Sequence, residues 1–326
     1  MMEVLLIKAT QTLDITNLVH SVEWKGTRYS APRSVLVTLT SINKGYHQGV
    51  EIEEGDGLLF SWGNVELYRG TVFDLRKRKG GILSVLTYDN LIYFTKNTDS
   101  YVFINKKASD YLERICGDFK ISMGTISDTG YVIPSLVFDN KKLYDVVMKG
   151  IVLTYKQTKN KFKLYSEKGK VNLVNQKENA RKWVIEEGVN LIDYEYSSSI
   201  TDTVTRVKLE AGEEKKTIIT TADNGELQKK FGVLQYYEKI TDQTDKAKLQ
   251  QQADSIMSEQ GKQKRTLDID GIGITDVIAG VGIHVIIPEL DIKKGYYVDS
   301  DTHRFQGNKH EMSLSLIETN DLPEIG

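Results

Sequence analysis

The chain has 326 residues, 40% of them hydrophobic and 27% charged, and its 43 basic and 45 acidic residues give a formal net charge of −2. This length predicts two or three domains, and the charge balance excludes a global field that would draw the chain to nucleic acid or anionic lipid. No apolar run approaches the ~20 residues of a membrane span. The segment Met1–Lys8 has no signal-peptide features and suits a first strand. The single cysteine, Cys116, excludes an internal disulfide and suits a reducing cytoplasm.

The first hundred residues carry the two-residue alternation that is typical of β-strands. Val35, Val37 and Leu39 form one strongly apolar face and alternate with Ser34, Leu36, Thr38 and Thr40. Three further segments rich in β-forming residues follow at 58–62, 65–75 and 82–88. We therefore predict an antiparallel β-domain over residues 1–100. The basic turn Arg76–Lys79 could meet phosphates or an acidic partner surface, although solvation or contact with a neighbouring subunit is the favoured interpretation.

The pattern changes to helical spacing after residue 100. Apolar residues from Ala108 to Phe119 recur at i, i+3 and i+4, which predicts a helix of about three turns. A second helix is predicted to begin near Asp139 or Asn140, either of which could cap it, and to run to Gly150. Short strands are expected at 162–165 and 171–174. We predict a smaller mixed α/β middle domain over residues 101–187.

β-character returns in the last part of the chain. Strands are predicted at 191–196, 203–209, 217–221, 265–274, 281–287, 296–299 and 312–317. A helix over 241–260 interrupts them, with Thr241 or Asp242 as its cap and Gly261 as its stop. We predict a second β-domain over residues 188–326 that includes this helix. The predicted fold class is mainly β with α+β insertions.

An internal repeat is the most informative feature of the sequence. Four residues near the N-terminus have counterparts 225 positions later in the chain: Gly55 with Gly280, Gly57 with Gly282, Gly70 with Gly295, and Asp74 with Asp299. In both copies a Gly-x-Gly turn precedes an apolar strand, and a glycine opens the next one. The spacing favours a duplicated β-domain, with these residues at its structural turns, over a coincidence of turn glycines.

The sequence predicts no catalytic, cofactor-binding or metal-binding residues. The five histidines lack metal-site spacing, and His303 and His310 are interpreted as exposed residues of a hairpin. Carboxylate pairs that could serve acid/base chemistry, at 53–54, 186–187 and 299–301, are interpreted as solvated turns. Cys116 lies on the apolar face of a predicted helix and is expected in the core.

The layout resembles the baseplate hub proteins of contractile phage tails, including the late-control D family and the PBSX-type prophage hubs. The segments that carry the resemblance are 55–89, with the sequence GDGLLFSWGNVELYRGTVFDLRKRKGGILSVLTYD, 107–147 and 280–317. The resemblance implies two tail-tube-like antiparallel β-domains flanking the middle domain. The helix 241–260 could supply the helix that commonly packs beside the tube sheet, and the first copy has no evident equivalent.

The resemblance also implies a structural, non-enzymatic role. Three chains would form a ring of six tube-like domains, joining a sixfold tail tube to a threefold spike. The expected partners are the chain itself as a homotrimer, the tube protein, the spike protein and other baseplate proteins, with no membrane and with DNA only in transit in an infectious phage. The expected location is the baseplate of a virion or phage-tail-like particle assembled in the bacterial host cytoplasm.

Two alternative functions stay open at this point. A tail-associated cell-wall hydrolase would need a working carboxylate pair, for which Glu186 and Glu187 are the candidates. A carbohydrate- or surface-binding β-module would use exposed aromatic residues, for which the tyrosine pairs 236–237 and 296–297 are the candidates.

Overall fold

The structure is a computed structural model that describes residues 1–41, 50–176, 180–212, 217–240, 245–319 and 322–323. The chain divides into two compact units. Unit 1 comprises Met1–Tyr194 and Asp268–Gly326, and unit 2 comprises Glu195–Leu267. The division of the sequence into three domains, 1–100, 101–187 and 188–326, stays a prediction.

The N-terminal part of unit 1 consists of strands. They are β1 (Met2–Ile7), β2 (Thr12–Asp14), β3 (Val19–Thr27), β4 (Ser30–Thr40), β5 (Gly57–Trp62), β6 (Val65–Arg78) and β7 (Ile82–Tyr88). The alternation in β4 has the predicted effect, because Val35, Val37 and Leu39 are fully buried. The strands predicted at 58–62, 65–75 and 82–88 are confirmed, whereas β3 was not predicted.

The middle part of unit 1 mixes helices and strands. Its elements are α1 (Ile92–Lys96), β8 (Thr98–Lys106), α2 (Ala108–Asp118), β9 (Met123–Ile126), β10 (Ile133–Lys142), α3 (Leu143–Thr158), β11 (Phe162–Glu167) and β12 (Lys170–Asn175). The helix predicted from Ala108 is confirmed, and it buries Tyr111, Leu112 and Ile115 against α3 and the neighbouring strands.

The predicted start of the second helix was wrong. Asp139 and Asn140 belong to β10, which pairs with β8 as far as Lys142↔Thr98 and has an irregularity after Phe138. Their backbone is therefore part of a strand pair, and α3 begins only at Leu143. This helix also continues two turns beyond the predicted end.

The remaining elements follow. They are β13 (Ala180–Glu186), β14 (Leu191–Ser199), β15 (Arg206–Ala211), β16 (Ile218–Asp223), α4 (Gly225–Phe231), β17 (Gln235–Ile240), α5 (Lys246–Gln260), β18 (Lys264–Ile272), β19 (Gly282–Ile287), β20 (Ile292–Gln306) and β21 (Lys309–Ile317). Of the predicted helix caps, Thr241 and Asp242 lie outside the described residues. In the described part α5 is capped by Asp245, whose carboxylate accepts the Lys248 backbone N–H at 2.8 Å.

In its described residues, unit 2 has a small sheet and the two helices α4 and α5. The sheet has the order β16-β15-β17, with β16 antiparallel and β17 parallel to β15. Leu249 and Ala253 of α5 pack on Val207 and Leu209 of β15. This helix therefore buries its apolar stripe against the unit's own sheet.

Unit 1 is organised around one large sheet. Its strands follow the order β14-β18-β21-β20-β3-β4-β7-β6-β5-β1-β2, while β19 pairs with β20 and β13 pairs with β19. Of β14 and β18, only residues 191–194 and 268–272 belong to this unit. A buried core lies against the N-terminal strands and includes Phe305 of β20. A second core, centred on α2 and α3, belongs to the middle elements. The predicted mainly β fold class is confirmed.

Candidate assembly interface

Two glycine turns in unit 1 have the same hydrogen bonds. Gly55 has a φ of +97°, in the left-handed region that favours glycine. Its N–H donates to the Val72 carbonyl at 2.9 Å, and the Val72 N–H donates to the Asp56 carbonyl at 2.8 Å. This pair of bonds attaches the turn before β5 to the middle of β6.

The second turn repeats this arrangement. Gly280 has a φ of +89°, and its N–H donates to the Val298 carbonyl at 2.8 Å. The Val298 N–H donates to the Val281 carbonyl at 2.9 Å. The turn before β19 is therefore attached to β20 as the turn before β5 is attached to β6.

The pairing of the first strand with the second strand is shifted by one residue between the two copies. Gly57 faces Thr71, whereas Gly282 faces Tyr297. Counting from these pairs, the second strands correspond at an offset of 226 rather than 225. Gly70 lies opposite Leu58, and Gly295 lies opposite His284.

A bulge on each second strand supports the offset of 226. The pairing of β6 with β7 is irregular between Val72 and Asp74, and that of β20 with β21 between Val298 and Ser300. Asp299 therefore occupies the bulge position that Phe73 has in the first copy. The structure gives the two glycine turns the same geometry and places Gly70 and Asp74 one position out of step with Gly295 and Asp299. These four residues lie within β6 and β20 and not at the turns that the sequence had predicted.

The two copies meet where β3 pairs with β20. The antiparallel pairing runs from Val22↔Phe305 to Thr27↔Ser300. Arg304 faces Glu23 and forms an ion pair with it at 3.3 Å. This junction joins the N-terminal and C-terminal strands in one continuous sheet.

A buried polar cluster lies at this junction. Both guanidinium NH groups of Arg33 donate to the Asp301 carboxylate, at 2.9 and 2.5 Å. The Ala279 backbone N–H also donates to Asp301 at 2.6 Å, and the Asp301 side chain has no exposed surface. The Arg33 guanidinium lies 4.3 Å from the centroid of the Trp24 ring. The predicted solvation of the pair Asp299 and Asp301 was therefore wrong for Asp301, because β3 and the turn before β19 cover it.

The prediction for His303 and His310 was also wrong, because the two rings are hydrogen-bonded and His303 is fully buried. Nε2 of His303 lies 3.0 Å from the Val277 carbonyl oxygen, which can only accept, so this nitrogen carries a proton. Nδ1 of neutral His303 then accepts from Nε2 of His310 at 2.9 Å. Burial, reinforced by the neighbouring His303, lowers the pKa of His310 to about 4, and burial also lowers the pKa of His303.

Asp89 is a further buried carboxyl group beside Arg33. It accepts the Leu91 N–H at 2.9 Å and the Arg33 N–H at 3.2 Å. Burial nevertheless raises its pKa to about 7. Neither Asp89 nor Arg33 was identified from the sequence, and Asp301 was predicted to be solvated. One signal was available, since Arg33 shares the face of β4 that buries Val35.

The other sequence candidates are dispersed. Cys116 is buried as predicted, and burial raises the pKa of its thiol to about 12. Glu186 ends β13 and Glu187 follows it with an exposed side chain. Tyr237 is 51% exposed, whereas Tyr296 is buried. His47 lies outside the described residues.

The described ranges were predicted to hold neither a metal site nor a membrane span. No set of three or more His, Cys, Asp or Glu side chains there is arranged to hold a metal ion. None of the helices in those ranges combines the length and the apolar character needed to cross a membrane.

Comparisons of sequence identify relatives along nearly the whole chain. The YQBQ-like family matches residues 22–317. The phage-like element PBSX protein XkdQ of Bacillus subtilis is 41% identical over 326 residues, covering 99% of both chains. The protein YqbQ of the same organism is 39% identical over 326 residues, again covering 99% of both chains.

Comparisons of structure identify tail proteins with the same fold. A 43 kDa tail protein of prophage MuSo2 from Shewanella oneidensis has a TM-score of 0.69 at 12% identity, covering 97% of this chain and 98% of its own. A tail protein from Neisseria meningitidis has a TM-score of 0.67 at 11% identity, covering 97% and 96%.

A third similar structure comes from a secretion system. The Escherichia coli protein c3393 has a TM-score of 0.55 at 9% identity, covering 94% of this chain and 76% of its own. It is described as a type VI secretion component that is structurally similar to the T4 tail proteins gp27 and gp5. The family match and the full-length relatives confirm the resemblance to PBSX-type prophage proteins, and the chain belongs to the YqbQ-like family of phage-tail-like proteins.

Proposed function

We propose that this chain is the structural, non-enzymatic hub of a contractile-tail baseplate, a homotrimer that joins a sixfold tube to a threefold spike. The observation that carries the proposal is the duplicated sheet. The order β4-β7-β6-β5 in the first copy corresponds to β18-β21-β20-β19 in the second. Both copies attach a positive-φ glycine turn to the second strand of the unit through the same two hydrogen bonds.

A duplicated sheet suits a symmetry adaptor. Closed rings require each subunit to present the same contact to the next one. A chain with two similar β-domains presents two wedge-like elements, so three chains supply six. Such a ring can face a sixfold partner on one side while its three chains match a threefold partner on the other.

The expected partners follow from this role. They are the tube protein, the spike protein and other baseplate proteins, with DNA only in transit. The similarity of the fold to c3393, itself described as similar to T4 tail proteins, supports a position in a tail assembly. The relationship to the PBSX element supports a phage-tail-like particle as the location. We place the assembly of this particle in the bacterial host cytoplasm.

Reconstitution with neighbouring proteins tests the proposal. The full chain would be co-expressed with the tube and spike proteins encoded beside it, and the complex would be purified through a tag on the spike. We expect three copies of this chain for each spike trimer, with tube protein bound to the opposite side in electron micrographs. Failure of this chain to bind either protein would contradict the hub function.

A further inference from the structure

The second strands of the two copies, β6 and β20, differ in whether a neighbouring strand pairs with each of their two edges. Ser300–Phe305 of β20 pair with β21 on one side and with β3 on the other. The corresponding stretch Asp74–Arg78 of β6 pairs with β7 on one side. On its other side the pairing with β5 ends at Thr71, and no strand in the described ranges continues it.

The free flank of β6 shares one charged position with the occupied flank of β20. At the offset of 226, Arg304 corresponds to Arg78. Arg304 forms an ion pair across the junction with Glu23 of β3. Arg78 has an exposed side chain at the end of β6, where Lys77 is also exposed. The first copy therefore presents the basic half of the junction without an acidic strand opposite it.

The second copy presents the complementary strand. β14 lies beside β18 in the second copy, as β3 lies beside β4 in the first copy. β14 is an edge strand of the large sheet, and the described strands pair with it along one side only. It carries two exposed carboxylates, Asp193 and Glu195, and Ile192 is 59% exposed. An acidic edge with exposed apolar surface is suited to pairing with a basic strand.

We propose that β14 of one copy pairs antiparallel with Asp74–Arg78 of β6 in the next copy, reproducing between chains the β3–β20 junction that exists within each chain. The occupant of both surfaces is a second copy of this chain. This inference rests on the proposed hub function and identifies the contact that closes its ring.

The chemistry of the two edges supports this choice of partner. Arg78 would face a carboxylate of β14, as Arg304 faces Glu23. Arg76 lies two residues away and is paired with Asp74 at 3.3 Å within the chain. Backbone N–H and C=O groups of both edges would be satisfied by the new ladder. The contact is heterologous, because β6 and β14 are different surfaces of one chain, and heterologous contacts produce rings when the rotation closes.

Disulfide trapping tests the pairing directly. Arg78→Cys would be combined with Glu195→Cys in one variant and with Asp193→Cys in another, and each protein would be oxidised and analysed without reductant. We expect at least one combination to give covalent trimers, and each single variant to give none. The native Cys116 is buried and does not interfere.

The junction within the chain supplies a matched positive control. Glu23 and Arg304 face each other in the structure, so Glu23→Cys with Arg304→Cys should form a disulfide that leaves the mass at one chain. Oxidation of this control shows that the conditions form a disulfide between facing residues of antiparallel strands.

Charge reversal gives an independent measurement. Arg78→Glu and the double variant Asp193→Lys with Glu195→Lys should each raise the dissociation constant of the trimer by about tenfold or more, and their combination should restore much of the affinity. Lys248→Glu on α5 changes the net charge as Arg78→Glu does and should leave assembly unchanged. Melting temperatures would show that every variant is folded.

The outcomes separate the two proposals. A wild-type trimer with no cross-link at either pair and no effect of charge reversal would overturn the β14–β6 contact and leave the hub function standing. A wild-type chain that stays monomeric, alone and with the spike protein, would overturn both. Covalent trimers together with the restored affinity would establish the contact.

Discussion

The strands β6 and β20 show how one sheet pattern can serve two purposes. In each strand one valine, Val72 or Val298, is hydrogen-bonded to a glycine turn. A bulge follows directly after that valine. Asp301 and His303 are buried on the stretch of β20 that pairs with β3, whereas their counterparts at an offset of 226, Leu75 and Lys77, are partly or fully exposed on β6. The comparison suggests that buried polar bonds mark the permanent junction, and that surface charge marks the junction left for another chain.

Removal of the buried carboxylate should have the largest effect of any single change. Asp301→Ala leaves the Arg33 guanidinium and the Ala279 N–H without their partner at a buried site. We expect the free energy of unfolding to fall by about 3 kcal/mol or more. Asp299→Ala is the matched control, because Asp299 is partly exposed and its ion pair with Arg28 should contribute about 1 kcal/mol or less. Urea denaturation measures both, and equal losses would contradict the assigned role of Asp301.

Alanine substitutions at Gly70 of β6 and Gly295 of β20 test whether these two glycines have equivalent surroundings. A methyl group at Gly70 would clash with the Tyr68 hydroxyl and the Tyr88 carbonyl oxygen. At Gly295 the nearest atom would be the Ile283 carbonyl oxygen, at 3.8 Å. We expect Gly70→Ala to destabilise the protein by about 1–3 kcal/mol and Gly295→Ala by less than about 0.5 kcal/mol. Similar losses in thermal denaturation would indicate that the glycines are equivalent after all.

The two turn glycines should instead behave alike. Gly55 and Gly280 both have positive φ, and a methyl group at either would meet no atom within 4 Å. The cost of Gly55→Ala and of Gly280→Ala is therefore conformational and should be about 1 kcal/mol in each case. Chemical denaturation of the two variants side by side measures it. A difference much larger than the experimental error would argue against a shared turn geometry.

The histidine pair should make the second copy sensitive to acid. Because the pKa of His310 is lowered from 6.5 to about 4 in the folded chain, the unfolded chain binds the proton first as the pH falls. The stability contributed by neutral His310 is therefore complete above pH 6.5 and is lost progressively down to about pH 4. The slope should be about 1 kcal/mol per pH unit or less.

Comparison with a variant isolates this contribution. The raised pKa of Asp89 acts with the opposite sign, because the folded chain retains that proton up to about pH 7. The stability difference between wild type and His310→Gln, measured by urea denaturation at pH 7, 6 and 5, cancels the contribution of Asp89. The difference should shrink as the pH falls, and a constant difference would contradict a lowered pKa for His310.

Local pattern predicted much of the strand content. The alternation of Val35, Val37 and Leu39 identified β4, and the helical spacing from Ala108 identified α2. The start of α3 was misplaced because Asp139 and Asn140 are good caps by residue type, while the pairing of β10 with β8 determines their conformation. Strand ends were similarly hidden, since β20 runs far beyond the predicted segment 296–299.

The junction was beyond the reach of local pattern. Arg33 and Asp301 are 268 residues apart, and only the pairing of β3 with β20 brings them together. His303 looked exposed because its neighbours Arg304, Lys309 and Glu311 are charged, yet it shares the buried face of β20 with Phe305. The repeat could be found from glycine spacing, whereas the displacement by one residue required the register of the strands.

The solution mass of the full chain tests the central claim most directly. Light scattering on a sizing column would be recorded for the chain alone and after mixing with its spike protein. The hub account predicts a species of about 111 kDa for this protein, three times the 36.9 kDa of one chain. A mass of one chain under both conditions would contradict the threefold ring on which the account depends.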